Sequence, residues 1–143
     1  MKKILVSACL LGTKCRYDGL SKPCEKVIRM QEEYEFIPCC PESDAGLSTP
    51  RLPCEIKGDR VIRKDGMDLT DTFLLGAKIA LDLAKNENVE FAILKERSPS
   101  CGKSLRYDGT FSGNLVSKPG ITAQLLMENH ISVFSDEQIE NGR

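Results

Sequence analysis

The chain has 143 residues, enough for a single domain with one well-buried core, and its 41% hydrophobic and 29% charged side chains exclude both a disordered chain and a membrane-embedded one. With 20 basic against 21 acidic residues the formal net charge is -1, which excludes the global electrostatic footprint that long nucleic acids or anionic membranes need. Seven cysteines form an odd set, so a fully paired disulfide framework is excluded as well.

At the N-terminus, MKKILVSACLLG has two lysines, an apolar run and a cysteine, superficially like a bacterial lipoprotein signal. The run is shorter than the ~7–15 residues of a signal core, and no stretch approaches the ~20 residues of a membrane span. A cytoplasmic protein with free thiols is expected. Residues 3–7 read instead as the first of four buried strands, the others being 34–38, 91–95 and 131–134; each is near-continuous in apolar residues and partly β-branched, as strands covered on both faces are.

Helical patterns lie between them. One runs from about 23 to 32, with Pro23 tolerated in the first turn and Val27, Ile28 and Met30 facing inward. A second starts at a Thr70 cap and ends near Asn86, with Leu69, Phe73, Leu74, Ala77, Leu81 and Ala84 on one stripe of period 3.6. The third covers about 121–129, after Pro119-Gly120, and leads to the last strand. In residues 54–63 apolar and polar side chains alternate about Gly58-Asp59, which predicts an inserted β-hairpin. The fold class is therefore α/β: a single domain spanning residues 1–143 with an open, mainly parallel, Rossmann-like sheet, flanking helices and one hairpin.

The strand assignment gives the cysteines meaning. Cys9 follows the first strand, Cys39 and Cys40 the second, and Cys101 the third. In open parallel sheets ligands bind in the crevice beyond the carboxyl ends of the strands, so three thiols converge there without any local CxxC motif. Facing thiolates suit zinc, copper(I) or an iron–sulfur cluster. The only histidine, His130, falls at a helix-to-strand junction and reads as a capping or surface residue. Adjacent residues of an extended chain point to opposite faces, so Cys39 and Cys40 do not share a metal, and Cys40 is the better candidate. Cys15 is a candidate extra ligand, whereas Cys24, Cys39 and Cys54 read as packing residues.

Polar residues beside these thiols can move protons. Glu42 stands two after Cys40, and Ser98-Pro99-Ser100 leads into Cys101. Desolvation in a crevice raises the pKa of a carboxyl group and nearby cations oppose this, so such a group can exchange protons with water or a leaving group. The tetrapeptide RYDG occurs twice, at 16–19 and 106–109, each time closely after a cysteine. Asp-Gly favours a tight turn, while Tyr and Arg supply a stacking face and a cationic fork; two such loops could frame a flat heterocycle or brace the cysteine loops. Arg16, Tyr107 and Ser100 are accordingly the candidate substrate contacts. Arg51, Lys95 and Arg97 either add positive charge near the thiols or form surface ion pairs.

The stretches SACLLGTKCRYDG, CCPE, GLSTPR, LKERSPSCG, YDGTFSG and GITAQLL resemble a family of small bacterial proteins, first grouped as a domain of unknown function, that includes iron–sulfur-dependent thiouracil desulfidases. The resemblance runs from about residue 3 to 135. It implies a [4Fe-4S] cluster held by Cys9, Cys40 and Cys101, and Glu42 and Ser98 as catalytic acid/base groups. It also implies an enzyme that removes sulfur from a thiolated pyrimidine such as 2-thiouracil without net redox chemistry, giving uracil and hydrogen sulfide. The partner is then a small thiolated molecule, not a nucleic acid or a membrane, and the protein is a monomer or homodimer. The alternative reading keeps the same thiols in a metal-binding or sulfur-relay module that does not turn over thiopyrimidines.

Overall fold

The computed structural model describes residues 1–141. In chain order, β1 (Lys2–Ser7) runs into a 3-10 turn, Ala8–Leu11. The single-turn helix α1 (Glu25–Ile28) continues as a 3-10 turn, and β2 (Tyr34–Cys39) passes directly into the short helix α2 (Pro41–Asp44). The hairpin β3 (Cys54–Lys57) and β4 (Arg60–Arg63) precedes the 17-residue helix α3 (Thr70–Asn86) and β5 (Ala92–Leu94). A second small hairpin, β6 (Arg106–Tyr107) with β7 (Leu115–Val116), is followed by α4 (Ile121–Glu128), β8 (Val133–Ser135) and α5 (Asp136–Glu140).

The main sheet has the order β2-β1-β5-β8, and every pairing in it is parallel. These are the four strands expected from the sequence. The chain steps outward from β1 to β2, then returns to the other side of β1 as β5, so the order reverses between β1 and β5. Such a switch point opens a crevice at the carboxyl edge of a sheet. The Ser7 hydroxyl bridges it there, accepting a bond of 3.0 Å from the Lys95 amide.

Period-two burial divides the core between two layers. Leu5, Ala92, Leu94 and Val133 pack with Leu81 and Ala84 of α3 and Ala123 and Leu126 of α4. Ile4, Val6 and Ile93 face the other way, toward Val27 of α1 and Ile139 of α5. Full burial of an aliphatic side chain contributes about 1.5–3 kcal/mol, so these strands are the main source of stability. No helix among the described residues is long and apolar enough to cross a membrane.

Several local expectations are corrected. The helix expected from residue 23 begins only at Glu25, after the buried Cys24, and tightens to 3-10 geometry at Arg29. Thr70 does not cap α3 by its side chain; Leu69 is the N-cap, and the Thr70 hydroxyl instead accepts the Val61 amide of β4 at 2.8 Å. Leu74 leaves the buried stripe and is 51% exposed, because Gly76, Ala77 and Ala80 carry the inner face instead. Small residues prevail there because α3 lies close to the backbone of α2.

That close approach is testable. A Cβ at Gly76 would meet the Pro41 carbonyl oxygen, between Cys40 and Glu42. Gly→Ala inside a helix ordinarily stabilises by about 1 kcal/mol. Here Gly76→Ala is expected to destabilise by about 1–3 kcal/mol through overpacking, as measured by urea unfolding.

Candidate active site

Beyond the carboxyl ends of β1, β2 and β5 lies a cavity of about 540 Å³, within the range of small-molecule sites. Cys9, Cys15, Cys39, Cys40, Cys54 and Cys101 all line it, and only Cys24 among the cysteines does not. All seven are free thiols. Glu42, Ser98, Arg16 and Tyr107 line the same cavity.

Each loop is held by its own backbone bonds. The Cys9 turn is pinned because its carbonyl accepts the Lys22 amide at 2.9 Å while Leu10 accepts that of Cys24 at 3.0 Å, which folds the first RYDG loop back over it. Cys40 is the N-cap of α2, and its amide donates to Asp44 Oδ2 at 3.1 Å. The Ser98–Cys101 loop is shaped by α4: the first-turn amides of Ile121 and Thr122 donate to the Pro99 and Ser100 carbonyls at 2.9 and 2.8 Å. Those donors have no partner within a helix, so the loop completes α4 and α4 fixes the loop.

The three loops are also tied to one another. Cys40 Sγ lies 3.6 Å from the Cys15 carbonyl oxygen, and the same oxygen accepts Arg51 Nη2 at 3.2 Å. Arg51 Nη2 also donates to Glu42 Oε2 at 2.8 Å, with side-chain exposures of 8% for Arg51 and 17% for Glu42. The other carboxylate oxygen, Oε1, is 3.5 Å from the Ser98 hydroxyl. Ser98 Oγ in turn accepts the amides of Ser100 and Cys101 at 3.0 and 2.9 Å. A continuous polar path therefore joins all three cysteine loops through Glu42.

Without a bound metal, Cys15, Cys39, Cys40, Cys54 and Cys101 favour their neutral form. Burial pushes Cys101 up to about 12, and burial with the nearby Glu42 charge pushes Cys54 up to about 11. Cys15 is drawn down by its hydrogen bond with Cys40, but its bond with Cys9 and its burial outweigh this and leave it at about 11. Cys40 is raised by its bond to Cys15 and then by burial, and Cys39 by burial above all. Neutral thiols satisfy one another in such a cluster, and a metal group displaces their protons on binding.

The donor set suits a bulky thiolate-bound group. Among the described residues no three Cys, His, Asp or Glu side chains converge closely enough to hold a single metal ion. Six thiols spread around a cavity of this size fit a multi-atom cluster of soft metals instead. Its wall carries Lys22 and Lys64 together with Arg16, Arg51, Lys95 and Arg97, the last four paired with Asp18, Glu42, Asp136 and Glu137, so cations are present beside the thiols but largely balanced by carboxylates.

Other candidate residues fall differently. Ser100, expected to touch substrate, does not line the cavity; it is 1% exposed and its hydroxyl bonds Thr122 Oγ1 at 2.7 Å, so it pins the loop to α4. Arg97 is half-exposed and pairs with Glu137 at 2.9 Å, a surface ion pair, whereas the Arg51–Glu42 pair is mostly withdrawn from solvent. Cys39 and Cys40 do point to opposite layers of the core, yet both reach the cavity rim. His130 is exposed at the end of α4 with φ 65, a helix-terminating conformation. Phe111, Glu55 and Glu96 line the cavity and were not singled out from the sequence; Phe111 lies within YDGTFSG, and the two glutamates have no local signal.

The sequence pattern that defines the 2-thiouracil desulfurase family matches residues 4–138. The chain belongs to this family. It is 38% identical over 148 residues to the uncharacterized protein YbbK of Bacillus subtilis (strain 168), an alignment covering 96% of this chain and 98% of that protein. Among solved structures it resembles the [4Fe-4S]-dependent thiouracil desulfidase TudS, with a TM-score of 0.92 and 42% identity over 99% of this chain and 95% of that one. The α/β fold with its parallel sheet is thus that of TudS throughout.

The geometry leads to two expected outcomes. Arg51→Ala leaves the part-buried Glu42 carboxylate without its cation and is expected to cost about 1–3 kcal/mol in urea unfolding, while an exposed pair such as Arg97–Glu137 costs about 1 kcal/mol or less when broken. In metal-free protein, alkylation of Cys54 follows its thiolate fraction and is expected to accelerate toward about pH 11 rather than near the ordinary thiol value of 9.0, as read by mass spectrometry. Because the folded-state value is the higher one, the matching stability is complete below pH 9.0 and is lost as pH rises through about 11.

Proposed function

We propose that this protein removes sulfur from a thiolated pyrimidine such as 2-thiouracil, releasing uracil and hydrogen sulfide, and that it does so as one domain over residues 1–143 with a [4Fe-4S] cluster on Cys9, Cys40 and Cys101. The observation that carries the reading is the convergence of these three thiols with Glu42 and Ser98 on one cavity at the sheet's switch point. It is supported by the membership of the 2-thiouracil desulfurase family and by the likeness to a [4Fe-4S]-dependent thiouracil desulfidase. The substrate is a small molecule, met in the cytoplasm by a monomer or homodimer rather than on a nucleic acid or membrane.

The net reaction is hydrolytic. The carbon–sulfur bond breaks, a carbon–oxygen bond forms, and both protons of water leave with the sulfur, so nothing is oxidised or reduced. A cluster bound by three thiolates supplies a thiophilic Lewis acid. The remaining work belongs to side chains. Arg51 fixes Oε2 of Glu42 and turns Oε1 toward Ser98, so that the carboxylate can take a proton from water and return it to the leaving sulfur. Ser98 holds this carboxylate and the Cys101 loop in one register. Arg16 and Tyr107, from the two RYDG loops, offer a cation and a flat face to the heterocycle.

The test is anaerobic reconstitution with iron and sulfide, counting iron and acid-labile sulfide and then assaying uracil and sulfide release from 2-thiouracil. Loaded wild-type protein is expected to turn over, and Cys9→Ala, Cys40→Ala and Cys101→Ala each to lose the cluster. Glu42→Gln is expected to keep its iron while kcat falls about 10²–10⁴-fold, the usual contribution of a positioned acid/base group. A full cluster with no sulfide release would reduce the protein to a metal-binding or sulfur-relay module.

A further inference from the structure

The second RYDG copy is held quite differently from the first, and by groups that neither bind metal nor move protons in the reading above. Arg16–Gly19 is a surface turn closed by its own bond from the Gly19 amide to the Arg16 carbonyl at 2.9 Å. Arg106–Gly109 instead lies between two buried carboxylates from distant parts of the chain. Glu96, 4% exposed, accepts the Ser104 and Leu105 amides on Oε1 at 3.0 and 3.1 Å. Glu55 of β3, 8% exposed, accepts the Gly109 and Phe111 amides on Oε1 at 3.0 and 3.1 Å. A buried carboxylate is costly unless its oxygens are bonded, so each glutamate in this position requires the loop as much as the loop requires it.

Two further features show that the clamp imposes a conformation rather than meeting a relaxed one. Phe111 has φ 56, a left-handed conformation that is an outlier for a bulky residue, and its amide is one of the two that Glu55 holds. At Gly109 a Cβ would come 2.7 Å from the Ile56 carbonyl oxygen, so the loop lies directly on the β3 backbone and only glycine fits. Tyr107 and Phe111, on either side of this pinned point, both line the cavity.

We infer that Glu55 is a positioning residue for substrate: with Glu96 at the other end, it holds residues 105–111 so that Tyr107 and Phe111 form an aromatic wall of the cavity, against which the flat thiolated heterocycle stacks. This rests on the thiopyrimidine reading of the site. Glu55 acts on binding and not on bond breaking, since its Oε1 is engaged by the Gly109 and Phe111 amides while Glu42 and Ser98 carry the proton path. Gln at position 55 keeps an oxygen for both amides, whereas Ala removes it.

Cluster-loaded wild type, Glu55→Ala, Glu55→Gln and Gly109→Ala are compared by amide hydrogen exchange and by steady-state kinetics with 2-thiouracil. In Glu55→Ala the amides of Gly109 and Phe111 are expected to exchange at least about tenfold faster while those of β1 and β5 are unchanged, KM rises about tenfold, kcat falls less, and iron per chain stays at the wild-type value. Glu55→Gln recovers most of both effects, and Gly109→Ala, which lifts the loop by contact with Ile56, reproduces the rise in KM. Wild-type turnover with an unchanged KM in Glu55→Ala, or a loss confined to kcat or to iron content, overturns the inference and leaves the functional reading standing. Absence of turnover by loaded wild type overturns the functional reading instead, and the exchange rates then decide the clamp alone.

Discussion

Ile4, Leu5 and Val6 are all fully buried, so β1 has no solvent side. A strand in that position needs a neighbour on each edge and helices over each face, and parallel neighbours can be reached only by crossovers that provide those helices. Once β2 and β5 flank β1 in the same direction, their carboxyl ends open on the same side. The residues that follow them, Cys9, Cys40 and the Ser98–Cys101 loop, are then neighbours although they are far apart in the chain. The cavity is a consequence of how the core is buried.

Charge does the next part of the assembly. Four carboxylates at this end of the sheet serve as hubs for loops: Glu42 for Arg51 and Ser98, Glu96 for the Ser104 and Leu105 amides, Glu55 for those of Gly109 and Phe111, and Asp136 for the Glu96 amide at 2.7 Å. Away from water such bonds are stronger and leaving them unmade is costly, so the walls are specified rather than merely covered. Burial favours the neutral form of Cys39 and Cys101 between them, until a metal group replaces their protons. Exposed pairs such as Arg60–Asp68 contribute little to this arrangement.

Where local pattern and observed structure diverge, an unforeseen neighbour explains the difference. Spacing puts Leu74 on the buried stripe of α3, but glycine and alanine occupy the face that α2 approaches and Leu74 turns outward. Thr70 has the chemistry of a cap, yet its hydroxyl is taken by the Val61 amide of the adjoining hairpin. Ser98 and Ser100 both precede Cys101 and look equally placed to reach the site, but the turn sends one hydroxyl to Glu42 and the other to Thr122. The two-residue strands of the second hairpin are too short to leave a period in the sequence, and Ser135 caps α5 in a segment without a clear helical pattern.

By itself the sequence determined the parallel sheet, the first hairpin, the placing of Cys9, Cys40 and Cys101 beyond strand ends, and the presence of Glu42 and Ser98 close to two of those cysteines. Those are local signals: apolar runs of strand length, alternation about a Gly-Asp turn, and residue types adjacent to an element's end. Only the tertiary structure decided that Arg51 anchors Glu42, that Ser100 faces the core, that Cys40 meets the Cys15 carbonyl, and that Glu55 and Glu96 hold the second RYDG loop. Each of these joins residues from separate elements, and the free energy of such a bond depends on burial and orientation that arise only when the layers close.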